Sequence, residues 1–595
     1  MCCTPGYISI YIKETLLLGE ETGKLFNKNF KCCHQNEMTG SMTLKHHFLK
    51  YIFLFFISLG AFPPGSYAIS EATPSFIKTQ PHWFEGVRES LKVRFDKDRL
   101  YFKTDADRQL HDFYKRRDFQ PVWLTRSGWG AGVEPVIETL RKASLEGLDP
   151  TDYEPAIVVL KAAQKETDSL LEAEVAFTKA VLDYIDDLGG ERMSPRKIGK
   201  SLYIKPDPVD AAAILYTGMA QDQTGHWLAS LTVHKPQYQA LKKLLVTYRQ
   251  KAVQEKNRPT LPKGPLLKKG KKSSQVPILR QILRAHGDVL LDGTSSEFDQ
   301  SLEDAVKRFQ QKVTLDMDGI VGPQTRRALN KTSRDKVDQI IATMERWRWL
   351  PEKLEDRHLM VNIAAFDLKG YEYGKKVLDM PVIIGRQYRK TPVFTSSIYS
   401  IRFNPSWHVP RSIAVKDKLK KIRKDPSYLT RGGYVLMDTS GQQISPHSVN
   451  WSEITSGSFN YRLRQRPGAG NALGKIRFSI RSPFNVYLHS TPDKHLFEKK
   501  VRSFSSGCIR VARPAELAFF VFNEPSKWTL KSISAEMEGN RTRNVKLDQP
   551  VPVYISYFTV WVDEEGQAHF MDDIYDQDAA ILKAIKDRHH RARLS

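Results

Sequence analysis

Cys508 is the only cysteine after residue 33. It lies in Phe504-Ser505-Ser506-Gly507-Cys508-Ile509-Arg510-Val511, nineteen residues beyond His489. A thiol acting near neutral pH must be partly ionised, and a neighbouring imidazole can both accept its proton and stabilise the thiolate. His489 closes the stretch Tyr487-Leu488-His489 and Cys508 follows a glycine, so a strand–loop–strand unit could bring the two together. Gly507 lets the backbone bend closely, and the N–H groups around Cys508 could face a developing oxyanion. The expectation is a Cys508 thiol partly ionised at neutral pH, its proton held by His489. On these residues alone, a buried structural cysteine stands beside the nucleophile as an alternative.

Other chemistries find weaker support. Asp316-Met317-Asp318-Gly319 opens like a calcium loop, but the required glycine position is Val321 and the closing glutamate position is Arg327. Gly468-Ala469-Gly470-Asn471-Ala472-Leu473-Gly474 is one residue off a dinucleotide fingerprint and follows no strand, so it reads as a mobile loop. Ser-x-x-Lys occurs at Ser75, Ser194 and Ser333, yet no Lys-Thr-Gly or Gly-x-Ser-x-Gly accompanies it. No His-Glu-x-x-His and no cysteine pair for zinc stands beyond residue 33. Neither metal nor cofactor is expected.

The elements around this pair fall into distinct textures. At 595 residues the chain is too long for one core. From about 75 to 255 the pattern is helical, with Leu171, Val175, Ala176, Val181, Leu182 and Ile185 at helical spacing before Gly189-Gly190. Phe113, Tyr114, Phe119 and Trp123 read as core. Leu261 to Gln275, rich in Pro, Gly and Lys, reads as a solvated linker. Three short helices follow to Asn330, the last after Asp318-Gly319-Ile320-Val321-Gly322-Pro323. A helix carrying Trp347, Arg348 and Trp349 stops at Pro351. Beyond it, short strands at 359–366, 377–384, 397–403, 478–488 and 551–562 predict a β domain, sandwich or barrel. Residues 411–475 look basic, irregular and glycine-rich, and loops of that length are usually lids or binding elements.

The expected layout is a multidomain α+β chain: an N-terminal extension at 1–41, a signal peptide at 42–68, a helical scaffold at 69–260, a linker and small three-helix module at 261–335, and a mainly-β domain at 336–595 with a capping insertion at about 411–475. The signal rests on Lys45, His46, His47 and Lys50, the apolar run Tyr51 to Phe62, and Ser66-Tyr67-Ala68 as a cleavage site. That run is short of the roughly 20 residues a spanning helix needs. Translation is expected to begin at Met38 or Met42, which would remove Cys2, Cys3, Cys32 and Cys33 and leave one thiol. Such a chain would be exported to the periplasm, with inner-membrane retention as the other outcome. A charge of +24 would suggest nucleic acid in the cytoplasm; after export it suits an anionic wall or membrane.

His-x(n)-[Ser/Thr]-x-Gly-Cys-x-Arg resembles the signature of the L,D-transpeptidases with a YkuD-like catalytic domain, which remodel bacterial peptidoglycan. Met344-Glu345-Arg346-Trp347-Arg348-Trp349-Leu350-Pro351, Gly385-Arg386, Lys390-Thr391-Pro392-Val393-Phe394, Phe403-Asn404-Pro405-Ser406-Trp407 and Asn471-Ala472-Leu473-Gly474 extend the resemblance. Phe309-Gln310 with the Asp318–Thr325 stretch is similar to a peptidoglycan-binding module, and the whole order resembles the large periplasmic YcbB-type members.

The resemblance implies a cysteine acyltransferase with Cys508 as nucleophile and His489 as base. Gly507 and Ser506 would serve the oxyanion, and the Ser490 carbonyl would orient the imidazole. Tyr487, Trp407, Arg510 and Asn471 would line the substrate. It further implies attack on the bond between meso-diaminopimelate and the terminal D-Ala of a donor tetrapeptide stem. The side-chain amine of an acceptor stem would then take the thioester, giving a 3–3 cross-link open to carbapenem inhibition. Cell-wall synthases are partners it allows, and nucleic acid is not among them. The common motif has His where this chain has Ser506, read as a tolerated variant. Rival readings are an L,D-carboxypeptidase, a lipoprotein-anchoring transpeptidase, a non-catalytic peptidoglycan-binding protein and a papain-like protease.

Overall fold

The structure, a computed structural model, describes residues 82–97, 105–163, 166–255, 258–287, 294–313 and 315–592. The expected start, the signal at 42–68 and the four N-terminal cysteines lie outside the described residues.

Helices dominate up to Gln254. The 22-residue helix Thr167–Leu188 turns Leu171, Phe177, Val181, Leu182 and Ile185 into one core with Phe113, Tyr114 and Trp123, as its three- and four-residue spacing dictates. Phe119 packs on that core partly buried. Glu174 is fully buried there. Its carboxylate accepts from the N–H groups of Val122, Trp123 and Leu124 at 2.6, 3.1 and 3.0 Å, so this buried acid is a satisfied structural group.

Three helices, Val276–Ala285, Gln300–Lys312 and Pro323–Asn330, enclose Leu279, Ile282, Leu302, Val306, Phe309 and Leu329. Gln310 fixes the turn before the third helix: it donates to Asp318 at 2.7 Å and the Ile320 carbonyl at 3.0 Å, and accepts from Gly319 N–H at 2.9 Å. The 261–275 segment corrects the expectation of a solvated linker. Leu261 and Leu267 are buried in this module's core, and Leu267 exchanges both backbone hydrogen bonds with Val321. Two apolar anchors among lysines suffice to dock a segment that composition alone makes look unstructured.

The β-rich half is a sheet that closes on itself. Its strands run in the order Ser503–Ser505, Lys375–Gly385, Ile509–Val511, Leu488–His489, Ile476–Ile480, Phe394–Phe403, Arg543–Ser556, Arg357–Asn362 and Asp367–Glu372. The last pairs back onto Lys375–Gly385. The expected strand at 478–488 is two strands that pair antiparallel, Arg477 opposite His489, and 551–562 likewise breaks before Val560.

The region from 411 to 475 has more order than expected. Four short strands, Trp407–Val409, Arg462–Gln465, Tyr434–Met437 and Gln443–Ile444, form a separate sheet. Short helices and a π-helical turn at Ala414–Lys418 cover it. Trp407, Leu419, Ile422, Leu429, Leu436, Trp451, Phe459 and Leu463 give this cap its own core. Strands of two to four residues are too short to show a period in sequence.

The helix Ser333–Arg348, opened by a Thr332–Asp335 capping box, joins the halves. Arg348, at its end, is buried against the helical half. Its guanidinium donates to Glu345 and to Tyr238 Oη, both at 2.8 Å, and to the Glu146 carbonyl.

Candidate active site

Cys508 immediately precedes the strand Ile509–Val511, which pairs in parallel with Leu488–His489 so that His489 lies opposite Arg510. The Ile509 N–H donates to the Tyr487 carbonyl at 3.1 Å, setting Cys508 level with Tyr487. The turn before the thiol is pinned from three sides. Ser505 Oγ donates to the Cys508 carbonyl at 2.6 Å and accepts from Gly507 N–H at 3.1 Å; Thr391 Oγ1 donates to the Gly507 carbonyl at 2.9 Å. Gly507 has φ +120°, a conformation other residues enter only with strain. Gly385 is required for a different reason: a Cβ there would come within 2.1 Å of the Arg389 carbonyl and 3.1 Å of Gly507 Cα.

The backbone amides of this turn differ in whether they are already bonded. Gly507 N–H is spent on Ser505 Oγ. The Ser506 and Cys508 N–H groups have no hydrogen-bond partner among the described residues, so they are the amides free to meet a developing negative charge. The Ser506 side chain instead accepts from Arg389 Nη1 at 2.8 Å.

His489 is buried, and its Nδ1 stands 2.5 Å from the Ser490 carbonyl. A donor at Nδ1 leaves Nε2 as the basic nitrogen of the neutral ring. The Leu473 carbonyl also faces the imidazole. Burial, reinforced by the positive charges of Arg510 and Arg477, lowers the His489 pKa to about 3. Burial also pushes the Cys508 thiol up, opposed by hydrogen bonds from Tyr487 and by the charges of Arg510 and Arg477. Both shifts run against the expected partly ionised thiol, because burial opposes charge on either group. The half-buried thiol faces the Asn485 carbonyl at 3.7 Å, and no hydrogen bond joins it to His489 among the described residues.

The remaining expected residues separate by role. Tyr487 packs partly buried against the cap's core, which includes Trp407, and lies level with Cys508 across the paired strands. Arg510 binds Asp493 at 2.9 Å and Thr491 at 3.3 Å, so it braces the segment after His489 while adding positive charge. Asn471, expected to contact substrate, is 1 % exposed. Its amide donates to the Arg466 carbonyl and its oxygen accepts from Leu473 N–H, both at 2.8 Å. The loop read as mobile is thus a tied turn, and Asn471 positions the Leu473 backbone beside His489. Sequence reasoning missed Arg477, whose guanidinium lies 5.1 Å from the Tyr487 ring centre. It also missed Arg389. Only the pairing of Arg477 with His489 across two strands could have pointed to the first.

Residues 108–245 match the scaffold domain family, 272–329 the peptidoglycan binding domain, and 356–524 the L,D-transpeptidase catalytic domain. A Haemophilus influenzae protein named as an L,D-transpeptidase is 34% identical over 223 residues, covering 38% of this chain and 45% of that protein. The matched stretch thus spans less than half of that relative's length. Among solved structures, an L,D-transpeptidase from Mycobacterium smegmatis aligns at 14% identity and TM-score 0.16, over 34% of this chain and 58% of its own. One from Stackebrandtia nassauensis aligns at 12% identity and TM-score 0.18, over 50% and 96%. Neither superposition is close enough to bear on the site.

Proposed function

For a chain that carries an L,D-transpeptidase catalytic domain beside a peptidoglycan binding domain, we propose that Cys508 cross-links peptidoglycan stem peptides through an acyl-enzyme. The observation that carries this reading is the placement of Cys508 itself. The thiol stands on a rigid turn, one residue before a strand paired with that of His489, with unpartnered amides at its base.

The steps follow from that placement. A donor tetrapeptide displaces the thiol from the Asn485 carbonyl, and His489 Nε2 takes its proton as sulfur attacks the carbonyl that joins diaminopimelate to D-Ala. The oxyanion meets Cys508 N–H and Ser506 N–H. As the tetrahedral adduct collapses, the C–N bond breaks and the His489 proton goes to the departing D-Ala amine. A side-chain amine of a second stem then attacks the thioester, loses its proton to His489 and frees the thiol. The product is a 3–3 cross-link. The cap, whose core packs on Tyr487, would shelter the thioester from water. Such a reaction belongs in the periplasm, where the wall is.

Incubating the chain with disaccharide-tetrapeptide and resolving products by mass spectrometry tests this. A dimer lighter by one D-Ala is expected. Tripeptide alone would indicate a carboxypeptidase, attachment only to a protein lysine an anchoring enzyme, and unchanged substrate with retained sacculus binding a non-catalytic wall protein.

A further inference from the structure

Among the described residues, Arg389 is the one cationic side chain bonded to the catalytic turn, and its present partner is a carboxylate of the cap. Arg389 ends the short turn Gln387–Arg389 that follows the Lys375–Gly385 strand. That strand runs beside Ser503–Ser505, the last strand before the thiol. Arg389 Nη1 donates to Ser506 Oγ at 2.8 Å. Nη1 and Nη2 also reach the two oxygens of Asp417 at 2.5 and 2.7 Å. Two parallel N–H···O bonds from one guanidinium to one carboxylate make a fork that any free carboxylate can replace.

Asp417 differs from Arg389 in its setting. The arginine side chain is 15% exposed, whereas Asp417 is 38% exposed and sits in the π-helical turn Ala414–Lys418. Turns of this kind are uncommon and occur disproportionately at functional sites. The more enclosed half of the pair therefore bonds the catalytic turn and the more exposed half belongs to the cap. The bonds to Arg389 hold the Asp417 carboxyl below its ordinary pKa, so it stays charged as an occupant.

We propose that Arg389 binds a free carboxylate of the donor stem peptide, and that Asp417 occupies this position as a surrogate until the substrate arrives. This rests on the reading of Cys508 as a stem-peptide acyltransferase. The exchange needs no net charge change: one carboxylate leaves the guanidinium as another enters. The incoming group would be anchored two residues from the nucleophile. Losing Arg389 would release the Asp417 turn, so arrival of substrate and loosening of that edge of the cap would be a single event. The carboxylate next to the scissile bond is the terminal one of the D-Ala that departs, so its loss would return Arg389 to Asp417 before the acceptor enters.

Binding, measured separately from turnover, decides this. The full chain carrying Cys508→Ala is titrated by calorimetry with disaccharide-tetrapeptide and with the same compound amidated at its terminal carboxyl. Charged hydrogen bonds of this kind support a loss of about 10-fold or more on amidation. In the Arg389→Gln background the free acid should weaken by the same factor, while the amide changes little. Asp417→Asn, by removing the competitor, should tighten the acid and leave the amide unmoved. Equal binding of acid and amide, or no binding of either, would overturn the proposal. So would an Arg389→Gln chain that loses both ligands alike, since that marks a purely structural latch. Arg389→Lys, which keeps the charge without the fork, should recover only part of the acid preference. If the wild-type chain releases no D-Ala while the Arg389-dependent acid preference holds, transpeptidation fails and carboxylate recognition stands.

Discussion

At the scale of single residues, the opposed shifts of His489 and Cys508 make a definite pH signature. With His489 lowered to about 3 and Cys508 raised, kcat/KM should show no inflection near the free-imidazole value of about 6.5. Alkylation of Cys508 by iodoacetamide should rise with pH through an inflection above the free-thiol value of about 8.5. A plateau of fast alkylation below pH 7 would instead mark a thiolate–imidazolium pair. His489→Ala should leave the thiol in place but slow acyl transfer by about 10²–10⁴-fold, the usual worth of a general base. Stability carries the same shift with its own sign. The folded imidazole titrates near 3 and the unfolded one near 6.5, so the folded chain binds fewer protons between those values. Stability is full above that window and declines as pH falls through it, which thermal melts at pH 7 and pH 5 would show as a lower midpoint at pH 5.

At the scale of elements, the site depends on a close approach of two backbones. Gly385→Ala would drive a methyl into the Arg389 carbonyl and towards Gly507. Such overpacking is expected to cost about 1–3 kcal/mol and to reduce acyl transfer more than it reduces binding to the wall, measured side by side. That the strands at Cys508 and His489 lie side by side was legible in the sequence because both fall within one short strand–loop–strand unit with a glycine before the thiol. Arg389 and Asp417 were not: they meet across 28 residues, and neither lies in a periodic segment. Asn471 misled for a related reason. Sequence shows a polar residue in a glycine-rich loop, but not that its amide is consumed by neighbouring backbone. The cap's sheet escaped notice because burial alternation cannot register over two to four residues.

At the scale of the molecule, the helix that leads into the barrel is joined to the helical part through buried charge. Arg348 and Glu345 are both fully buried, and Arg348 also holds Tyr238 and the Glu146 carbonyl. Removing one partner of such a pair strands the other, so Arg348→Met should cost about 3–5 kcal/mol, read as a lower denaturant midpoint. The basic segment beside the small module is a separate matter. Lys268, Lys269, Lys271 and Lys272 are exposed, while Leu261 and Leu267 are built into the module. Replacing the four lysines by glutamine should keep sacculus binding but lessen its salt sensitivity; loss of binding at every salt concentration would mean charge alone was responsible.

The acyl-enzyme is the point on which these scales converge, and trapping it is the most direct test. The chain is mixed with disaccharide-tetrapeptide without excess acceptor, quenched in acid within seconds, and measured as intact protein and as peptides. The account predicts a mass gain equal to the donor minus D-Ala, located on the peptide containing Cys508 and absent from Cys508→Ala. Dimer formation and D-Ala release by Cys508→Ala at the wild-type rate, with no adduct on the Cys508 peptide, would contradict it.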